Sequence, residues 1–390
     1  MTTDGTAEPA AAAEQLATDG AADGTAEPAA AAVPDLAQLG WGEPFASAFE
    51  PHAALGRGPG RVVAEDRGLY LVATTSGEIR AAVTGRFRFD AAHNPAAFPA
   101  VGDWVALDIR DDGGTIQALL PRRTAFSRLA AGEETYTQVL GANVDVVFIV
   151  TSLNREFNVR RLERFLAAVW ESGARPIVVL SKADLAEDLD GCRLAAEASA
   201  PGVPILVVSA VDGTGLDEVR GHLAVGRTVA VIGSSGVGKS TLVNALAGQD
   251  LQAVTEIRLD DARGRHTTSR RHLVHLDGAG LILDTPGMRE FALLDDAGLA
   301  TSFADVEAAT ATCRFSDCAH RSEPGCAVRA AIASGALAAD RLSAFEKLGR
   351  EAAVAERRVD ALARIEERRR WKTIQKSVRA HMKRRYGGAS

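Results

Sequence analysis

Cysteine is scarce in this chain. Only four occur in 390 residues, and three of them, Cys313, Cys318 and Cys326, fall within 14 positions. That scarcity excludes a disulfide-stapled scaffold, and in a reducing compartment such a cluster reads as metal ligation before disulfides. Long apolar runs are missing too: stretches such as Val144–Val150 fall far short of the about 20 residues that cross a hydrocarbon layer, so no membrane-spanning helix is expected. No basic region followed by an apolar stretch marks the N-terminus, which points to a cytoplasmic address. Each end of the chain lacks charge of one sign. Residues 1–56 hold nine acids and no Lys or Arg, while residues 368–390 hold nine Lys or Arg and no acid, so the formal net charge of -7 describes neither end.

What is present divides into segments, as a length of 390 residues leads one to expect. The unit DGTAEPAAAA occurs at Asp4–Ala13 and again at Asp23–Ala32. Two copies with almost no large apolar residue cannot stack into a solenoid, so residues 1–56 read as an acidic low-complexity tail, disordered, with its lead-in. A functional acidic peptide is the alternative. Over residues 57–128, short β-rich runs (Arg61–Val63, Tyr70–Thr74, Ile79–Thr84, Trp104–Ile109, Thr115–Leu119) alternate with turn signals. Five such strands suit a small barrel of the OB type; an SH3-like barrel produces a similar string. Over residues 129–298, apolar runs alternate with helical patterns such as Asn158–Glu171 and Gly215–Leu223, which predicts an α/β domain with a parallel sheet covered on both faces. Residues 299–390 lack strand signals and hold a Cys/His knot followed by helical sequence with dense charge.

The strongest local signal is Gly233-Ser234-Ser235-Gly236-Val237-Gly238-Lys239-Ser240. It follows a β-run and opens a helix at Thr241, the context in which a phosphate-binding loop works. Backbone N–H groups and the helix N-terminus cradle phosphates, Lys239 reaches the β- and γ-phosphates, and the Ser240 hydroxyl ligates Mg²⁺. Ser181-Lys182-Ala183-Asp184 is one residue away from the N-K-x-D string that reads guanine. The Asp184 carboxylate can accept from guanine N1–H and the 2-amino group, with the Lys182 stem over the base; an ordinary βα loop is the competing reading. Ser209-Ala210 ends the next strand, where GTPases contact guanine O6. Asp284-Thr285-Pro286-Gly287 matches D-x-x-G, with Asp284 on the Mg²⁺ side and the Gly287 N–H at the γ-phosphate. Between them, Gly264-Arg265-His266-Thr267-Thr268-Ser269 suits a switch loop in which Thr267 or Thr268 completes Mg²⁺ coordination; a solvated polar loop is the alternative.

Ordinary GTPases run P-loop, switch Thr, D-x-x-G, N-K-x-D, S-A. Here the base-reading strings at 181 and 209 precede the P-loop at 233. A doubly wound sheet tolerates this permutation because the site depends on where loops meet in space. D-x-x-G then leads straight into the Cys/His segment, which offers a route for nucleotide state to reach the C-terminal module.

The permuted order, the barrel before it and Cys313-x4-Cys318-x-His320-x5-Cys326 after it resemble the ribosome small-subunit-dependent GTPases (RsgA, also called YjeQ or EngC). The resemblance covers residues 57–385. It implies a multidomain chain: an N-terminal OB-fold barrel that binds RNA, a central α/β P-loop GTPase with circularly permuted motif order, and a C-terminal zinc-binding α-helical module. It further implies GTP hydrolysis to GDP, stimulated by the small (30S) ribosomal subunit, in late maturation of that subunit and its 16S rRNA. Ser181 stands where the family usually has Asn or Thr.

Three thiolates and one imidazole from Cys313, Cys318, Cys326 and His320 form a closed tetrahedral set suited to one structural Zn²⁺. Cys192 is left over as a core or surface residue. Met288 occupies the position where many GTPases place a water-orienting Gln, so unassisted hydrolysis should be slow; His266 is a candidate for that work alongside Lys239 and Thr268. The basic tail from Arg368, with Trp371, His381 and Tyr386, suits phosphate neutralisation and stacking on RNA; a solvated helix is its alternative. The expected protein is a monomeric GTPase with GTP or GDP, Mg²⁺ and Zn²⁺ as ligands and no membrane partner. The rivals are an RNA-binding structural protein whose core binds nucleotide but hydrolyses it poorly, and a signalling GTPase, which the lack of lipidation signals disfavours.

Overall fold

The computed structural model describes residues 35–66, 68–91, 94–110, 113–130, 136–154, 157–248, 271–276, 278–284 and 297–358. Outside them lie the DGTAEPAAAA repeats, the switch residues His266, Thr267 and Thr268, the pair Gly287 and Met288, and the basic tail; of Asp284 only the backbone is described.

Five strands form the barrel: β1 (Gly58–Asp66), β2 (Leu69–Thr74), β3 (Gly77–Val83), β4 (Trp104–Arg110) and β5 (Gly113–Leu119), with helix α2 (Gly85–Ala91) between β3 and β4. Their order is β1-β2-β3-β5-β4, and the β1–β4 pairing closes it. Alternation along each strand decides what goes inside. Val62, Tyr70, Val72, Ala81, Val83, Val105, Leu107 and Ile116 form the barrel core, as period-2 patterning requires. Val63, next to Val62, faces the other way and joins the main apolar cluster with Ala73, Trp104 and Ala106.

That outer face is covered by residues 35–56. Helix α1 (Glu43–Ala53) buries Phe45 and Phe49, and Trp41 meets the fully buried Trp104 edge-on at 4.7 Å. Each such aromatic pair adds about 0.5–1.5 kcal/mol beyond the burial of its area. The acidic lead-in expected up to residue 56 therefore gives way to folded chain from residue 35, because Leu36, Leu39, Trp41, Phe45 and Phe49 supply the apolar face that the repeats lack. Arg61 fastens this joint. Fully buried, it donates to the carbonyls of Gly102 (3.2 Å), Asn143 (3.1 Å) and Leu39, and burial depresses its pKa to about 10.

A hairpin of β6 (Ala125–Ala130) and β7 (Tyr136–Ala142) precedes the α/β unit. The strands β8 (Val146–Ser152), β9 (Arg175–Ser181), β10 (Ile205–Val208), β11 (Thr228–Ile232) and β13 (Gly280–Asp284) run parallel in the order β10-β9-β8-β11-β13; β12 (His272–Leu276) adds antiparallel to β13. Odd and even positions face opposite ways. Val147, Ile149, Val178, Leu180, Ala230 and Ile232 bury against α3 (Val159–Glu171) and α4 (Leu189–Ser199). Val146, Phe148, Val150, Ile177, Val179 and Val229 bury against α5 (Leu216–Arg220) and α6 (Lys239–Ala247). This is the doubly wound, three-layer arrangement. A single pairing, Ala64 with His272, joins β1 of the barrel to β12, so barrel and core share one eleven-stranded sheet.

After β13 no strand occurs among the described residues. Helices α7 (Ala297–Ser302), α8 (Ala304–Thr310) and α9 (Ala327–Ser334) follow, then α10, helical over 339–358. No helix among the described residues is long and apolar enough to cross a membrane.

Candidate nucleotide and metal sites

The parallel strands end on one edge, and the loops there converge on Gly233–Ser240. Gly233, Gly236 and Gly238 all have positive φ. Gly233 lies so close to β8 that a Cβ would sit 2.2 Å from the Val150 carbonyl oxygen, so no other residue lets the loop close on the sheet. Val237 is buried beneath the loop. The Lys239 ammonium donates to the carbonyls of Gly233 at 2.8 Å and of Ser234. Ser240 and Thr241 begin α6 with exposed side chains, so the Ser240 hydroxyl is available to a hydrated divalent cation. Asp284 ends β13, which is hydrogen-bonded in parallel to β11, the strand that feeds the loop.

The string at 181 reaches this loop from the end of β9, and the string at 209 joins it through Asp184. Ser181, the last residue of β9, is buried and donates its hydroxyl to the Val237 carbonyl at 2.6 Å. A hydroxyl therefore performs the tie from the base-reading strand to the phosphate loop that an amide could have made. Lys182 has a left-handed backbone, φ 60, a conformation that costs about 1–3 kcal/mol and persists where the surroundings over-determine it. Its ammonium donates to the Gly236 carbonyl at 2.6 Å, so the stem runs along the loop. Asp184 is exposed and accepts from the Ser209 hydroxyl at 2.8 Å through Oδ1. The main chain of Ser209 is fixed by its N–H to the Thr214 carbonyl at 3.0 Å, and Ala210 follows at the rim. Ser181, Lys182, Asp184, Ser209 and the loop thus form one surface, with an acceptor carboxylate at one end and a phosphate cradle at the other.

The second site lies beyond α8. The ligand atoms of Cys313, Cys318, His320 and Cys326 all fall within 4.8 Å of one another. His320 Nδ1 stands 3.7 Å from the Cys313 sulfur and 3.5 Å from that of Cys326. Tetrahedral Zn²⁺, with Zn–S about 2.3 Å and Zn–N about 2.0 Å, requires N···S separations of about 3.6 Å. The donor set fits that ion. His320 adopts φ 58 to present Nδ1, while Nε2 faces the Thr310 hydroxyl at 3.4 Å; such a partner on the far nitrogen fixes the ring. Cys326 caps α9, its sulfur accepting from the Arg329 N–H at 3.4 Å. Main-chain N–H groups at the start of α9, Val328 first, hold the Cys313 thiol below the ordinary range, whereas burial pushes Cys318 up to about 11; a bound cation favours the thiolate at both. Between the ligands, the Glu323 carboxylate accepts from the N–H groups of Ala319, Arg321 and Ser322 at 3.1, 2.8 and 2.9 Å, and main-chain donors, its own first, hold its pKa low.

Two functional placements escaped sequence reasoning. Arg161, in the first turn of α3, donates to the Ser234 hydroxyl at 2.6 Å. Glu323 organises the metal loop. Neither belongs to a motif with a fixed spacing, so nothing in the sequence singles them out.

Known proteins with this arrangement are numerous. The RsgA GTPase family model matches residues 119–294. The small ribosomal subunit biogenesis GTPase RsgA of Opitutus terrae is 45% identical, covering 88% of this chain and 97% of its own. The protein of the same name from Streptomyces coelicolor is 45% identical, with 90% and 96% covered. Among solved structures, YjeQ from Thermotoga maritima is similar at 27% identity and a TM-score of 0.58, covering 76% of this chain and 98% of that one. YloQ, described as a circularly permuted GTPase, is similar at 25% identity and a TM-score of 0.54, with 76% and 95% covered.

Proposed function

The chain belongs to the RsgA GTPase family, and from that premise we propose that it hydrolyses GTP to GDP in maturation of the small ribosomal subunit, docking on the subunit's 16S rRNA and leaving after hydrolysis. The observation that carries this reading is the tie of Ser181 and Lys182 to the Gly233–Ser240 loop, with Asp184 bonded to Ser209 beside them, in a chain similar over nearly its whole length to proteins named small ribosomal subunit biogenesis GTPases. In this reading Asp184 takes the guanine N1–H and 2-amino donors, Ala210 approaches O6, and Lys182 lies along the base. The N–H groups of Gly233 to Thr241 and the Lys239 ammonium hold the phosphates. Ser240 and Thr268, with Asp284 acting through water, would hold Mg²⁺, which would supply charge neutralisation at the phosphates. Gly287 and Thr267 sense the γ-phosphate, and His266 orders the attacking water in place of Met288.

The division follows from the same reading: an acidic tail and lead-in (1–56), a barrel that meets rRNA (57–128), the permuted GTPase (129–298), and a zinc module continuing into the basic tail (299–390). Cys313, Cys318, His320 and Cys326 hold one structural Zn²⁺, which leaves no open position for catalysis. The protein works as a monomer in the cytoplasm, without a membrane partner. Cosedimentation tests this directly: the protein should pellet with small subunits in a non-hydrolysable GTP analogue and stay in the supernatant in GDP. Equal pelleting in both nucleotides contradicts release by hydrolysis.

A further inference from the structure

Helix α3 stands between the phosphate loop and the C-terminal helix, and its first turns are divided between them. Arg160, Glu163 and Arg164 are spaced i, i+3, i+4 and share one face. Arg160 pairs with Asp340 at 3.4 Å, Glu163 with Arg341 at 3.1 Å, and Arg164 with Glu351 at 2.6 Å. All three partners lie on α10. Ala167 continues that face, and there α7 touches α3 backbone to backbone: a Cβ on Gly298 would sit 2.0 Å from the Ala167 carbonyl oxygen. Arg341 is the centre of this contact. Buried, it also donates to the carbonyls of Ser199 (3.3 Å) and Ser302 (2.8 Å), and grips Asp305 with Nε and Nη2. The ends of α4 and α7 and the start of α8 are thereby fixed to α3 and α10 together.

Arg161 points the other way. Its main-chain N–H is capped by the Asn158 side chain at 3.0 Å, and its guanidinium donates to the Ser234 hydroxyl at 2.6 Å. Ser234 is thus fastened twice, by Arg161 at the hydroxyl and by Lys239 at the carbonyl. It is the second residue of the phosphate loop, so its orientation sets where the next N–H groups aim. We propose that Arg161 is a positioning residue for GTP hydrolysis, acting through Ser234, and that α3 makes its placement depend on the seating of α10. A rigid helix carries a displacement along its length, so a partner that shifts α10 re-aims the loop without touching it.

The inference rests on reading Gly233–Ser240 as the nucleotide site. Single-turnover GTP hydrolysis without small subunits, GDP affinity and thermal melting are to be measured for the full chain and for Arg161→Ala, Arg161→Lys, Ser234→Ala and Arg164→Gln. Arg161→Ala should lower the hydrolysis rate roughly tenfold or more, the scale on which a misplaced catalytic group is felt, a larger loss than any in GDP affinity, with melting unchanged. Arg161→Lys, which keeps a donor for Ser234, should recover part of the rate. Ser234→Ala should produce a similar loss and add nothing to Arg161→Ala. Arg164→Gln, which breaks the pair with α10, should slow the wild type but not the Arg161→Ala background. An unchanged rate in Arg161→Ala, or a loss matched by equal losses of GDP affinity and melting temperature, overturns the positioning role. Equal slowing by Arg164→Gln in both backgrounds overturns the link to α10. Failure of the wild-type chain to bind GDP would instead remove the nucleotide site itself, an outcome separate from these.

Discussion

Ser181 and Asp184 carry the residue-scale argument. The Ser181 hydroxyl has one proton and gives it to the buried Val237 carbonyl. Ser181→Ala leaves that carbonyl unpaired, and since a buried unsatisfied acceptor costs about 1–3 kcal/mol, GDP binding should weaken roughly tenfold by titration calorimetry, with the melting temperature falling in parallel. Ser181→Asn should restore binding, because an amide donor reaches the same carbonyl. Asp184 offers a sharper test. Asp184→Asn keeps an acceptor for Ser209 but presents a donor where guanine needs two acceptances, so loss of two charge-assisted bonds, each worth about 1.5–3 kcal/mol, should lower guanine affinity by at least two orders of magnitude and raise that for xanthine nucleotides. Unchanged guanine affinity removes Asp184 from base recognition. Both residues were legible because their strings sit at strand ends. The left-handed backbone of Lys182 was not, since nothing in a Lys side chain asks for positive φ.

Elements were legible where alternation is local. The five barrel runs and the continuous apolar runs of the α/β unit recur as strands, with ends shifted by a few residues. Helix α1 escaped notice because Pro51 sits inside it, and its apolar face matters only once Trp104 is there to receive it. Contacts made across the chain were illegible for a simpler reason: Arg161 finds Ser234 73 positions away and Arg341 finds Glu163 178 positions away. The zinc loop belongs to this scale as well. A structural ion held by Cys313, Cys318, His320 and Cys326, as proposed above, makes the fold there depend on that ion. Chelation, or Cys326→Ser, should lower the melting temperature of the full chain, by about 2–4 °C for each kcal/mol lost, and should leave GDP affinity intact. The folded-state pKa of Glu323 lies below its unfolded value, so its contribution holds at neutral pH and disappears in acid. A module that keeps its melting temperature after complete metal removal contradicts a structural ion.

At the scale of the whole molecule, the permutation decides what the GTPase core can reach. The barrel enters the sheet beside β12 through the pairing of Ala64 with His272, and His272 is itself paired with Asp284, the first residue of D-x-x-G. On the other side, α7 follows the switch segment and lies on α3, which Arg341 locks to the C-terminal helix. In the proposed reading, nucleotide-dependent changes abut the barrel at one edge and the helical module at the other. The mean charge of -7 conceals this, because an acidic end offsets a basic one that continues from α10. With Met288 at the position of the water-orienting Gln, the proposed mechanism relies on His266 and on a partner. The most direct measurement is GTP turnover by the full chain with and without saturating small ribosomal subunits. A slow basal rate, raised by at least tenfold on adding subunits, as expected when a partner completes the transition-state environment, is the predicted result. The same rate in both conditions contradicts a subunit-driven GTPase.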